Sequence, residues 1–239
     1  MLTKLTNMFR FKHLLLPLVV LYSGTVNAQI TDIVGPPGSG DFGYSVTTLS
    51  NGNYVITDPF INNGAIANAG AVYLYDGRTH SLISTLKGAK NDDFVGRAGL
   101  VALPNLNFVI LRRSVDNGFI VDCGAITWVN GATGLSGVVT LANSLFGTAT
   151  NDSLGSGDNY GVGGLVVLEN GNCVMVSPGW DNGTVVNAGA VTLLDGNGPT
   201  SGVISSGNSL VGSSTNDRVA SDGIFILDDS HFIVRSFTW

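Results

Sequence analysis

The sequence predicts an all-β repeat array, and three observations carry that expectation. One segment recurs in register: LSNGNYVITDPFINNGAIANAGAVYLYDG (Leu49–Gly77), LPNLNFVILRRSVDNGFIVDCGAITWVNG (Leu103–Gly131) and LENGNCVMVSPGWDNGTVVNAGAVTLLDG (Leu168–Gly196). A fourth copy opens at Leu227 as LDDSHFIVRSFTW and runs to Trp239. Each copy consists of short β-prone runs punctuated by Gly, Asn and Asp. The third observation is composition: charged residues make up only 12%, with a single Glu (Glu169), against 33 Gly. Helices wet one face with Glu, Lys and Arg, so this balance favours strands and tight turns. Hydrophobic content of 44% suffices for a packed core.

The first 28 residues are of another kind. Lys4, Arg10 and Lys12 precede the apolar run Leu14–Tyr22, and Val26-Asn27-Ala28 ends on a small residue. That order is the pattern of a secretory signal peptide, and the run is short for a bilayer span, which needs about 20 apolar residues. An uncleaved anchor is the alternative. Removing the leader takes three of 11 basic residues and none of the 17 acidic ones. Eight basic residues then face 17 acidic, a net charge of −9. Such a surface repels phosphate and argues against nucleic acid or anionic lipid as partner. The remaining chain has no run apolar and long enough for a membrane helix.

Residues 29–40 are a leader into the first unit, with Pro36-Pro37-Gly38 opposing regular structure. The first unit, about residues 41–90, begins with Asp41-Phe42-Gly43 and the run Tyr44–Leu49. Asn51-Gly52 then joins that run to NYVITDP as a hairpin, because Asn and Gly accept positive φ cheaply. Past Pro59 a polar loop, Asn62-Asn63-Gly64, leads to AVYLYDG and to SLISTLKG (Ser81–Gly88), giving four strands. The second unit, 91–150, repeats the order with Gly99–Leu103, NFVILRR, AITWVNG and Gly137–Leu141 as its fourth run. The third, 151–215, gives GGLVVLENG, CVMVSP, AVTLLDG and GVISSG; the fourth, 216–239, is truncated.

Registered on Gly70, Gly124 and Gly189, the copies stand 54 and 65 residues apart. A four-stranded unit at this period is the signature of a β-propeller blade, a small sheet that buries both faces only against its neighbours. The expected architecture is therefore a β-propeller-like array of three blades and the start of a fourth, an incomplete ring. A β-helix or solenoid is the alternative, although its coils are shorter, on the order of 20–30 residues.

Phe42-Gly43-Tyr44-Ser45-Val46, then NGNYVITDP, then AGAVYLYDG resembles the FG-GAP repeat of integrin-α-type β-propellers. The wording DNGxxxxAGAVT of the later units is similar to repeats of large bacterial surface proteins. The resemblance spans residues 40–239 in period and strand order, and it implies a secreted or cell-surface protein. Departures are plain: Arg112-Arg113 replaces the Pro element in the second unit, and the Asp-rich calcium loop of that family is absent.

Candidate chemistry is sparse. Asn91-Asp92, Asn151-Asp152 and Asn216-Asp217 precede first strands, so Asp92, Asp152 and Asp217 are candidate Ca²⁺ ligands. Turn capping by the same carboxylates is the competing reading. Phe60, Trp180 and Trp239 follow second strands and are candidate binding aromatics for a sugar or a protein. Packing between blades is the alternative for them. Beyond the leader only His80 and His231 occur, and no nucleophile elbow, zinc or dithiol motif is present. Cys123 and Cys173 fall at non-equivalent repeat positions and are expected as buried thiols rather than a disulfide.

The expectation is a non-catalytic binding or adhesion module of a bacterial cell surface, recognising protein or carbohydrate. A propeller-type hydrolase or lyase and a structural spacer in a longer repeat protein are the alternatives. An unclosed blade edge also predicts a truncated piece of a longer chain, or self-association through that edge.

Overall fold

The computed structural model describes residues 31–154, 164–228 and 230–239, so the expected signal peptide, residues 1–28, lies outside the described residues. Every regular element among them is a strand. All the strands belong to one compact unit, Val34–Trp239. The first repeat contributes β1 (Val46–Thr48), β2 (Tyr54–Asp58), β3 (Ala71–Tyr75) and β4 (Leu82–Lys87), paired antiparallel in chain order. The second contributes β5 (Leu100–Ala102), β6 (Phe108–Arg112), β7 (Ala125–Val129), β8 (Gly137–Val138) and β9 (Leu145–Phe146). The third repeats that set as β10 (Leu165–Val167), β11 (Cys173–Ser177), β12 (Ala190–Leu194), β13 (Gly202–Val203) and β14 (Ser209–Val211). The fourth is the hairpin β15 (Ile224–Ile226) and β16 (Phe232–Val234). The molecule is thus the expected all-β array of small blade-like sheets in three tandem repeats.

One strand assignment differs from the sequence reading. Gly137–Leu141 and GVISSG do not supply the fourth strands of their own units; those are β9 and β14. Instead β8 and β13 reach back and pair in parallel with the outermost strand of the preceding sheet. Gly137 and Val138 oppose Leu86 and Lys87, and Gly202 and Val203 oppose Leu145 and Phe146. The next amide seals each pair: Val139 N–H donates to Lys87 O at 3.1 Å, and Ile204 N–H to Phe146 O at 3.0 Å. The cause is length. From the glycine before the third strand to the one after the fourth takes 18 residues in the first unit (Gly70 to Gly88). It takes 23 in the second and third (Gly124 to Gly147, Gly189 to Gly212). Those five extra residues give the second and third units a strap that the first unit lacks.

Strand alternation then assigns each sheet a forward and a backward face. Forward residues Val55, Val72, Leu74 and Leu86 of the first sheet meet backward residues Phe108, Ile110, Ala125 and Val129 of the second. Val109, Leu111, Ile126 and Leu145 point forward onto Cys173, Met175, Ala190 and Leu194 of the third. Val174, Val176 and Val191 continue forward against Ile224, Phe232 and Val234 of the hairpin. Each inner leucine removed from water in this way contributes roughly 1.5–3 kcal/mol.

The units approach one another closely at Gly70, Gly124 and Gly189, whose φ values are +72°, +74° and +78°. A Cβ at those positions would run into the backbone of Val95, Leu154 and Val219, where the chain enters the next unit. Glycine is therefore required there twice over, by backbone angle and by space.

Candidate functional site

A cleft of about 520 Å³ lies where the first two units meet. The turn before β5 supplies Asp93, Phe94 and Arg97, the end of β6 supplies Arg112, Arg113 and Ser114, and Tyr44 closes it from the start of the first unit. Hairpin pairing of β5 with β6 brings Arg97 towards Arg112 across 15 positions of sequence. Three of the eight basic residues that follow the leader therefore share one recess.

Arg112 is the unusual member. Its side chain is buried, and among the described residues its Nε, Nη1 and Nη2 atoms have no hydrogen-bond partner. The Phe146 ring lies 5.9 Å from its guanidinium carbon. Burial lowers its pKa to about 10, with Asp93 acting in the opposite direction, so the group is a cation at neutral pH. A buried cation left without hydrogen bonds is costly, and such groups concentrate at functional sites. Asp93 does not neutralise it fully, because its Oδ2 already accepts from the Ala89 and Lys90 amides at 2.7 and 2.9 Å.

An aromatic wall flanks this charge. The Arg97 guanidinium lies over Phe94 at 5.1 Å and Phe60 at 5.9 Å, and Phe60 meets Phe94 and Tyr44 edge-on. Phe60, proposed from sequence as a binding aromatic, is thus the half-buried support of the arginine wall. Chemically the cleft pairs fixed positive charge with ring faces. Among the described residues its lining has no His, Cys or Glu, and the Asp93 carboxylate is held by backbone amides.

The other sequence candidates fall elsewhere. Trp180 is buried in the core between the second and third units and offers no ring to solvent, so its candidacy as a binding aromatic gives way to the other reading, packing between blades. It occupies the position of Ile61 and Val115, both buried as well. Trp239, at the same position in the fourth unit, is exposed, as is Phe119 at a loop tip of the second.

The acidic candidates resolve into two kinds. Asp152 is buried, its Oδ2 accepting from Thr148 and Ala149 N–H at 2.6 Å and its Oδ1 from Asp181 N–H at 2.9 Å. Asp217 accepts likewise from Ser213 and Ser214. The matching residue at the start of the second unit is Asp93, not Asp92, so the sequence register was one residue out there. Asp92 is exposed with φ +61° and accepts from Asn68 Nδ2, the role Asn216 plays for Asn187. Burial raises the Asp152 pKa despite its three amide donors. These carboxylates cap turns, and among the described residues no three His, Cys, Asp or Glu side chains come together.

Cys123 and Cys173 are free thiols in different cores, pushed up by burial to about 11 and about 12. Among the described residues no helix is long and apolar enough to cross a membrane.

In the sequence Arg112-Arg113 stands out only as a departure from the Pro element and Tyr44 only as part of the Phe-Gly motif, and nothing there points to Arg97. The usable signal was the scarcity of basic residues, three of which lie within 17 positions.

Three stretches, residues 48–97, 102–156 and 167–221, match the model of one family, a repeat of unknown function (DUF5650). Each stretch extends past the acidic turn, through Asp93, Asp152 and Asp217. No curated protein matches the chain.

Proposed function

The chain belongs to this family of DUF5650 repeats, and we propose that it is a secreted or cell-surface binding and adhesion module of FG-GAP-like blades whose ligand is an acidic carbohydrate. The observation that carries the reading is the buried Arg112 guanidinium, without hydrogen-bond partners, at the arginine- and aromatic-lined cleft. A carboxylate or sulfate entering the cleft meets Arg97 and Arg113 at its surface and the field of Arg112 from behind them. The rings of Phe94 and Tyr44, backed by Phe60, suit the flat apolar side of a sugar. The acidic remainder of the chain repels long polyanions, so selection favours a short acidic sugar over nucleic acid.

Calorimetric titration with tri-galacturonate and with a neutral trisaccharide tests this. Saturable binding of the charged sugar alone is expected, weakened about tenfold or more by Arg97→Ala, since hydrogen bonds to charged groups are the stronger class. Absence of binding, or equal binding of the neutral sugar, defeats the reading. Accumulation of shortened sugars during the titration would point instead to a hydrolase or lyase. The reach-back straps favour one other reading, a structural spacer in a repeat array, which binds neither sugar.

A further inference from the structure

Two junctions inside this chain show how one unit receives the next, and the forward face of the third unit repeats the receiving half of both. At the first junction, Asn51 and Asn53 Nδ2 donate to Gly131 O at 2.9 and 2.8 Å. At the second, Asn105 and Asn107 Nδ2 donate to Gly196 O at 2.7 and 3.0 Å. Each glycine follows the third strand of the incoming unit. Asn170 and Asn172 hold the same positions in the third unit, and no hydrogen bond engages their Nδ2 atoms among the described residues.

The outer strand shows the same vacancy. Lys87 O and Phe146 O each accept from a strap, and Val211 O is their counterpart on β14, which among the described residues is an unpaired edge of its sheet. Side chains agree with the backbone. Leu86 and Leu145 are 1% and 0% exposed, whereas Leu210 at the same position is 43% exposed. Leu74 is 1% exposed, whereas its counterpart Leu193 is 53% exposed. Between β12, β14 and β16 runs a groove of about 370 Å³, lined by Val191, Leu193, Leu210, Phe232 and Val234.

We infer that this groove and edge bind the third strand and strap of a further repeat of this same type. The two junctions define the occupant's chemistry. It presents Ala, Thr and Val or Leu on alternate positions (Ala125, Thr127, Val129; Ala190, Thr192, Leu194). Asn-Gly or Asp-Gly follows, its glycine carbonyl meeting the two asparagines, and then a Gly-Val-Val or Gly-Val-Ile strap pairs parallel to β14. A folded second copy does not supply it. Its first unit has no strap, and the straps of its second and third units are committed to their own preceding sheets. The occupant is a strap-bearing repeat beyond those three, adding its strands at β16 and β14 by edge pairing.

The probe is a fluorescent peptide of the chain's own residues 187–205, NAGAVTLLDGNGPTSGVIS, titrated into the full chain while its anisotropy is read. Saturable one-to-one binding is expected, weakened about tenfold by Asn170→Asp with Asn172→Asp, which keep the accepting oxygens and remove both donors. Peptide carrying Val203→Asp and Ile204→Asp is expected to bind as weakly. The double Asp change at Asn51 and Asn53 serves as the control for folding: it lowers the melting temperature, whereas the change at Asn170 and Asn172 leaves it in place. Lack of saturable binding, or binding that neither set of changes weakens, overturns the inference. So does a dimer in solution that the Asn170 and Asn172 changes dissociate, since a second copy would then fill the groove.

Discussion

On the backward face of the first sheet, Phe42 lies edge-on to Tyr73 at 5.4 Å, and Tyr54 stacks on Tyr75 at 5.5 Å with its hydroxyl against His80 Nδ1. On the forward face of the third, leucines stand half in water beside a two-stranded hairpin. Both faces belong to sheets that bury their other side in the same manner. The first is covered by rings, Phe42 lying over the buried Tyr73 and Tyr54 carrying its hydroxyl out to the exposed His80. The third keeps the aliphatic residues of an interior junction. A sheet in this array is finished either by an aromatic cover or by another sheet, and the residue types show which.

The sharpest way to break that comparison is to truncate equivalent leucines. Leu145→Ala opens a cavity in the core between the second and third units and is expected to cost about 2–5 kcal/mol in urea unfolding. Leu210→Ala, at the same position on the open face, is expected to cost less than about 1 kcal/mol because water already reaches it. Equal losses would show that the outer face is covered in solution.

Next in size is Arg112→Met. Exchanging a buried cation without hydrogen bonds for an apolar side chain of similar length is expected to stabilise the fold by up to about 1–4 kcal/mol while abolishing sugar binding. The sign of the pH effect sharpens the test. Burial lowers the Arg112 pKa to about 10, so the folded state binds fewer protons than the unfolded one between there and the ordinary arginine range. The contribution of this group to stability rises as pH climbs through about 10, and Arg112→Met removes that rise.

A smaller contrast separates the two kinds of acidic residue. Asp152→Asn puts an NH₂ against at least one backbone N–H and is expected to cost about 1–3 kcal/mol. Asp92→Asn on the surface is expected to stay within about 0.5 kcal/mol. Thermal unfolding of both variants checks the corrected register.

The smallest effect is local to the fourth unit. The Asp228 carboxyl is held down to about 2, first by the Ser230 amide and then by the His231 side chain. Its contribution to the hairpin is present above the ordinary carboxylate range and is lost as pH falls through about 2. His231→Ala is expected to raise the midpoint of the Asp228 carboxyl resonance in an NMR titration.

Much of the array was legible because three copies vote on each position. Gly70, Gly124 and Gly189 coincide in register, and no other side chain tolerates that angle and approach. Partners were harder to read than elements. Gly137-Val138 has the composition of a strand and is one, yet its pairing is with Leu86 and Lys87, and propensity carries no address. Asp92 and Asp93 stand side by side, so the Asn-Asp wording of later units fitted the wrong one. Of the two readings open for Trp180, packing between blades was the one its register supported, since the aliphatic Ile61 and Val115 at the same position signal burial. The arginine cleft was hidden because its walls come from two units and meet only after the sheets stack.

The straps also set an order of events. Lys87 ends the first sheet's own chain, but the edge is sealed only when Val138 and Val139 arrive, some 50 residues later. On a chain made from its N-terminus, closure of each sheet therefore trails synthesis by most of a unit, and the newest sheet is always open. A fault introduced in one strap should be felt one unit upstream, as early exchange of amide hydrogens along the outer strand of the sheet made before it.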